Sequence, residues 1–181
     1  SCLFHGGVLF LFMGHFVGLL TPHSIYQHVI SAEEKQLVAI IAGSVAGAVC
    51  LAGLILLMHR RFFDARIRQT STVNDNAVLI ILFVQLMLGL ATVPFSLAHG
   101  DAEVMLRLSA WAQGIFMFQP GIANYIAGLD WPYQAHLVLG MLIFLLFPFT
   151  RLVHMLSAPI RYVWRPGYQI VRSRKLGARH G

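Results

Sequence analysis

Three observations predict an all-α fold: a transmembrane helix bundle of four spanning helices plus a short interfacial helix. The 181-residue chain is 57% hydrophobic and only 11% charged, with a mean hydropathy of +0.71. A soluble domain is nearer half apolar and a quarter charged. The apolar residues gather into runs of about 20, the length a helix needs to cross a hydrocarbon core of about 30 Å. The basic residues stand beside those runs and not on a separate polar domain. The net charge of +6 and the pI of about 9.9 therefore fit membrane lipid and topology, and no nucleic-acid partner is expected.

The first span is Leu3–Leu20, closed by Thr21-Pro22, where proline stops the helix. Leu37–Met58 is the second, with Glu33, Glu34 and Lys35 before it and His59, Arg60 and Arg61 after it. Ala77–Ala98 is the third, with Pro94 near its end. Gln134–Ser157 is the fourth, with Pro148 deep inside. Asp101–Phe118 alternates polar and apolar residues over too short a run to span, and is expected to form an amphipathic interfacial helix plus loop. Cys2 and Cys50 lie in apolar segments without CxxC spacing and read as small core residues. The chain opens on Ser1 inside a hydrophobic segment, so further N-terminal sequence is expected.

Orientation follows from lysine and arginine. Arg60, Arg61, Arg66 and Arg68 follow the second span, and Arg151, Arg161, Arg165, Arg172, Arg174, Lys175 and Arg179 mark the last helix end and tail. The other side has Lys35 and Arg107 alone. The middle loop and C-terminus are thus expected to be cytoplasmic, with 1–160 as the membrane bundle and 161–181 as a basic cytoplasmic tail. The first span then runs outward and the fourth inward.

Four histidines lie within spans: His5 and His15 in the first, His136 and His154 in the fourth. An ionisable side chain in a bilayer costs roughly 2.5–3.5 kcal/mol on insertion scales, so each needs a reason. For any one of them, an interhelical hydrogen bond is the plain alternative. Depth, however, pairs His15 with His136 near the outside and His5 with His154 near the cytoplasm. Two histidines on each of two helices are what two bis-imidazole haem irons require, and an iron closed on both faces transfers electrons and does not bind oxygen. Gly6, Gly7, Gly14, Gly18 and Gly140 would keep helix surfaces free of bulk beside a porphyrin. Close helix packing is the other reading of such glycines, and Gly43-xxx-Gly47 fits it. Spacing strains the pairing: the two rises are roughly 15 Å and 27 Å, and the first two histidines lie about 80° apart around their helix. A bend at Pro148 is expected to reconcile them.

The segments LFHGGVLFLFMGHFVGLLTPH (3–23), VPFSLAHGD (93–101) and AHLVLGMLIFLLFPFTRLVHMLSAP (135–159) resemble, in order, the gamma subunit of respiratory nitrate reductase. This is a dihaem cytochrome b that anchors a molybdenum and iron–sulfur enzyme in the membrane. The resemblance covers essentially the whole chain, apart from a more divergent tail beyond Gly167 and an N-terminal helix of the family that precedes Ser1. It implies two haem b cofactors, the outer held by His15 and His136 and the inner by His5 and His154. It further implies quinol oxidation beside the outer haem, with Lys35, Gly14 and His15 binding the quinol. Electrons would pass inward to an iron–sulfur beta subunit and on to nitrate at a molybdenum alpha subunit. The resemblance places the protein in a bacterial or archaeal cytoplasmic membrane as a multi-pass subunit. On the residues alone, Lys35 reads first as an anchor reaching for headgroups, and only the resemblance reverses that.

The remaining polar residues have simpler readings. His23, His28 and His99 read as interfacial, and His59 and His180 as surface residues. Arg60, Arg61 and Arg151 either neutralise haem propionates or anchor the cytoplasmic side. The basic tail either docks partner subunits or faces lipid. Trp111, Trp131, Tyr133, Tyr162 and Trp164 sit where an interfacial aromatic belt belongs. Two rival functions remain. One is the quinone-linked dihaem b subunit of a sulfur or heterodisulfide-reductase-like complex. The other is a histidine-based membrane transporter without haem, which would want intramembrane carboxylates. All seven acids, Glu33, Glu34, Asp64, Asp75, Asp101, Glu103 and Asp130, lie outside the apolar cores.

Overall fold

The structure is a computed structural model in which residues 2–65, 69, 73–98 and 102–150 are described. His99, Asp101, Arg151, His154, the end of the fourth span and the 161–181 tail lie outside the described residues. All regular structure among the described residues is helical: α1 (Cys2–Leu20), α2 (His23–Tyr26), α3 (Ala32–Phe63), α4 (Val73–Ala98), α5 (Glu103–Phe116), α6 (Ala123–Ile126) and α7 (Trp131–Leu146), closed by a 3₁₀ turn at Phe147–Phe149. Among the described residues, four segments are long and apolar enough to cross a membrane: Leu3–Leu20, Ala32–Phe63, Val73–Ala98 and Trp131–Phe149. The chain is a multi-pass membrane protein, and α5 is the expected short amphipathic helix.

The helix ends depart from the hydropathy boundaries for physical reasons. α3 begins at a capping box, where Ser31 Oγ accepts from Glu34 N at 3.2 Å and Ser31 N donates to Glu34 Oε2 at 2.8 Å. Its far end continues through His59, Arg60 and Arg61 to Phe63, because charged residues end an apolar run without breaking helical hydrogen bonding. Arg61 then ties α3 to α4, with its guanidinium 3.1 Å from Asp75 and its Nε donating to Asn76 Oδ1 at 3.0 Å.

The fourth span departs from the helix expected to run to Ser157 with a bend at Pro148. α-Helical structure stops at Leu146, a 3₁₀ turn follows, and Thr150 is extended. Pro148 lacks an N–H, and its ring crowds the carbonyl of Phe144. The α-helix that carries His136 therefore ends at Leu146.

Glycines set how closely the helices approach. α1 and α3 run antiparallel with backbones nearly touching: a Cβ on Gly7 would lie 2.8 Å from Cys50 Cβ, and one on Gly53 would lie 2.5 Å from Phe4 N. Cys50 and Leu54 fill the seam at 2% and 0% exposure. Gly47 receives Leu90 of α4, whereas Gly43 faces open space. α5 docks on α1 through Gln113, whose Nε2 donates to Leu19 O at 3.0 Å and Thr21 O at 3.5 Å. Those carbonyls belong to the end of α1, where no following turn can satisfy them. Trp111 and Tyr133 are buried, Tyr133 beside Ser96 of α4, while Trp131 is exposed.

Candidate functional site

α1 and α7 bring His15 and His136 together. The ring centroids lie 6.1 Å apart, with the ring planes tilted by 37°. The nitrogen roles follow from their partners. His15 Nδ1 is 2.7 Å from Leu11 O, and His136 Nδ1 is 3.1 Å from Gln85 O. A carbonyl can only accept, so each ring carries its proton on Nδ1 and has a lone pair on Nε2. Gln85 Nε2 donates to His136 O at 3.1 Å and lies 3.4 Å from His136 Nε2, whose lone pair can accept from the amide or bind a metal but not both.

The centroid separation is one that two imidazoles sharing a metal atom would have, and it also lies within the range of about 4.5–7 Å of ordinary ring–ring contacts. A metal–nitrogen bond of about 2.0–2.1 Å, plus about 1.1 Å from nitrogen to ring centre on each side, separates the centroids by about 6.3 Å. Ligating histidines commonly donate their second nitrogen to a carbonyl, as both do here. Among the described residues, no three His, Cys, Asp or Glu side chains cluster as a metal site. A haem iron would take only two such ligands from the protein.

The glycines divide between the two readings given to them. Gly7 is spent on packing against Cys50, and Gly140 makes room for Gln85 Nε2, 3.1 Å from where its Cβ would be. Gly6, Gly14 and Gly18 face open space. Gly14 is exposed beside His15, and His5 is exposed on the same helix with Phe4 edge-on at 5.4 Å. Its expected partner, His154, lies outside the described residues.

Lys35 sits one turn into α3, with Nζ 3.7 Å from the centroid of the Tyr26 ring. Both Lys35 Nζ and Tyr26 Oη are buried, and neither has a hydrogen-bond partner among the described residues. Burial pushes the Tyr26 hydroxyl pKa up, so it remains a neutral donor at physiological pH. An ammonium reaching for headgroups would be exposed at its tip; this one is held against an aromatic face. Nearby, Gln36 Nε2 donates to Ser96 O at 2.9 Å, and Ser96 Oγ shares a 2.7 Å hydrogen bond with Tyr133 Oη. These contacts clamp the ends of α3, α4 and α7 within one turn of His136.

Sequence reasoning missed Gln85, Gly89 and Tyr26. Gln85 does leave a signal, an amide in the middle of the apolar run LIILFVQLMLGLATV. Gly89 stands one turn beyond it, and a Cβ there would meet the His136 ring at 2.9 Å. Tyr26 leaves no signal beyond an aromatic between two spans.

Comparison with known proteins agrees with the architecture. The family described as nitrate reductase gamma subunit matches residues 1–174. The chain is 46% identical over 174 residues to the respiratory nitrate reductase 1 gamma chain of Escherichia coli K12, covering 96% of this chain and 77% of that protein. It is 47% identical over 175 residues to the nitrate reductase 2 gamma chain of the same organism, covering 97% and 77%. It is 35% identical over 175 residues to the nitrate reductase gamma chain of Bacillus subtilis 168, covering 96% and 78%. The chain therefore belongs to the nitrate reductase gamma subunit family.

Proposed function

We propose that the protein is the membrane cytochrome b subunit of a respiratory nitrate reductase. It oxidises quinol at the outer side of the cytoplasmic membrane and passes electrons through two b-type haems to iron–sulfur and molybdenum subunits, where nitrate is reduced. The observation that carries this reading is the His15–His136 pair, 6.1 Å apart with both Nδ1 atoms on backbone carbonyls. His15 and His136 would hold the outer haem, and His5 and His154 the inner one. When bound, the haems supply one-electron carriers that separate the two electrons of a quinol.

The chain's own residues bind and orient the quinol. Lys35 Nζ, buried over Tyr26 and without a hydrogen-bond partner among the described residues, donates a charge-assisted hydrogen bond to a quinol oxygen. Gly14 leaves open space beside His15 that a bulkier residue would fill. The family membership supports association with the other nitrate reductase subunits. The positive-inside distribution of arginines supports a cytoplasmic C-terminus, which puts His5 and His154 nearest those partners.

The reduced-minus-oxidised optical spectrum of membranes containing the whole complex tests the reading. Two b-type haem signals are expected. His15→Ala or His136→Ala should remove chiefly one, and His5→Ala or His154→Ala chiefly the other. A spectrum without b-type bands refutes the proposal. Loss of the same signal from His136→Ala and His154→Ala refutes the pairing.

A further inference from the structure

His136 owes its orientation to a gap in the helix beside it. α4 passes α7 with Gly89 directly under the imidazole: a Cβ at that position would lie 2.9 Å from His136 Cε1, 3.4 Å from Nδ1 and 3.6 Å from Nε2. One turn earlier on the same helix, the Gln85 carbonyl accepts from His136 Nδ1 at 3.1 Å. A Cβ at 89 would press on the ring beside the Nδ1 that makes this hydrogen bond. The carbonyl is otherwise committed to the helix ladder, so reaching it requires an approach from above a residue without a Cβ. The Gln85 amide adds a second tie by donating to His136 O at 3.1 Å. Gly140 makes that possible, as a Cβ there would crowd the amide nitrogen at 3.1 Å.

We propose that Gly89 is a positioning residue for the outer haem: it admits His136 to the Gln85 carbonyl, which holds the proton on Nδ1 and keeps Nε2 as the ligating nitrogen. The inference rests on the haem reading of His136 given above. A hydrogen bond from Nδ1 makes the imidazole a stronger electron donor, which favours ferric over ferrous iron. Losing it should therefore raise the midpoint potential of that haem alone. Removing such a partner typically weakens metal binding by about 10- to 100-fold. A tenfold loss of preference for the ferric state corresponds to a rise of about 59 mV in a one-electron couple.

The test uses Gly89→Ala in the complete complex, with Gly43→Ala as the matched control, since nothing lies within 4 Å of a Cβ at 43. The new methyl meets the tip of a side chain that can turn away, so the fold should survive while the ring moves. Redox titration and the low-spin ferric electron paramagnetic resonance spectrum are the readouts. The expected result is a raised potential and a displaced resonance for the outer haem, with the inner haem unchanged and Gly43→Ala like the parent. An unaltered outer haem in Gly89→Ala, where His136→Ala removes that haem, overturns the inference. Loss of both haems in Gly89→Ala also overturns it, because a local ring displacement cannot cause that. If His136→Ala itself leaves both haem signals in place, the ligand reading has failed and the inference falls with it.

Discussion

Gly53→Ala should loosen the membrane bundle more than any other glycine substitution at the α1–α3 seam. The added methyl would lie 2.5 Å from Phe4 N, 2.9 Å from Phe4 Cα and 3.1 Å from the Leu3 carbonyl carbon. All three are backbone atoms, so no rotamer change relieves them. Comfortable carbon contacts are about 3.5–4.0 Å, so α1 must retreat by roughly 1 Å. Overpacking of this kind costs about 1–3 kcal/mol. The better helix propensity of alanine returns up to about 1 kcal/mol. A net loss of about 1–2 kcal/mol is a five- to thirtyfold change in the folded-to-unfolded ratio. For a chain of this length it corresponds to a drop of about 2–8 °C in the thermal midpoint. Thermal unfolding of the detergent-solubilised complex, followed by size-exclusion recovery, measures it. Gly43→Ala faces open space and should leave the midpoint level or slightly raised. Equal midpoints for the two variants would refute the claim that backbone contact at Gly53 sets the α1–α3 distance. Because Phe4 adjoins His5, the strain should also reach that histidine before it reaches His15.

Three further outcomes follow from single contacts. Lys35→Ala removes the ammonium held over Tyr26, and a charge-assisted hydrogen bond of about 1.5–3 kcal/mol predicts a roughly 10- to 100-fold fall in kcat/KM for quinol, with both haem spectra intact; unchanged quinol kinetics would make Lys35 an anchor only. Ser31→Ala removes the capping box of α3 and should cost about 1 kcal/mol, read as faster amide exchange over residues 32–35; exchange at the parental rate would show the cap to be idle. Gln113→Leu leaves the terminal carbonyls of α1 without their donor, so amide exchange across α5 should rise about fivefold, in step with a loss of about 1 kcal/mol. Parental exchange there would mean that α5 is held by burial of Trp111 alone.

The four spans were legible because hydropathy over about 20 residues registers the bilayer directly, and the His15–His136 pairing was legible because charge bias orders the spans by depth. Boundaries were less so. Arg60 and Arg61 end the apolar run of α3 but not its hydrogen bonding, and a hydropathy reading sees only the first event. Pro148 was expected to bend α7, and the structure stops the helix before it, at Leu146. Gln85 and Gly89 escaped because their meaning depends on α4 lying beside α7, a neighbour relation that no span carries in its own pattern. Tyr26 escaped for the same reason: its role appears only once Lys35 is folded over its ring.

The glycines of α1 show why pattern alone cannot assign such residues. Gly7, Gly14 and Gly18 lie along one stripe, since seven residues return a helix to within about 20° of the same face. Periodicity therefore treats all three alike, as porphyrin clearance or as packing. In the structure only Gly7 touches another helix, against Cys50, while Gly14 and Gly18 face open space. The Gly7–Cys50 and Phe4–Gly53 contacts define an antiparallel register, and extending it places Gly14 level with Gly43, which is also open. α1 and α3 thus converge at the His5 end and splay apart towards the end bearing His15 and Lys35. The same small residue on the same stripe closes one end of the helix pair and leaves the other open. The open end is where a flat aromatic ring could enter beside His15, so the crossing of the two helices, and not the glycine count, decides where the proposed quinol site can be.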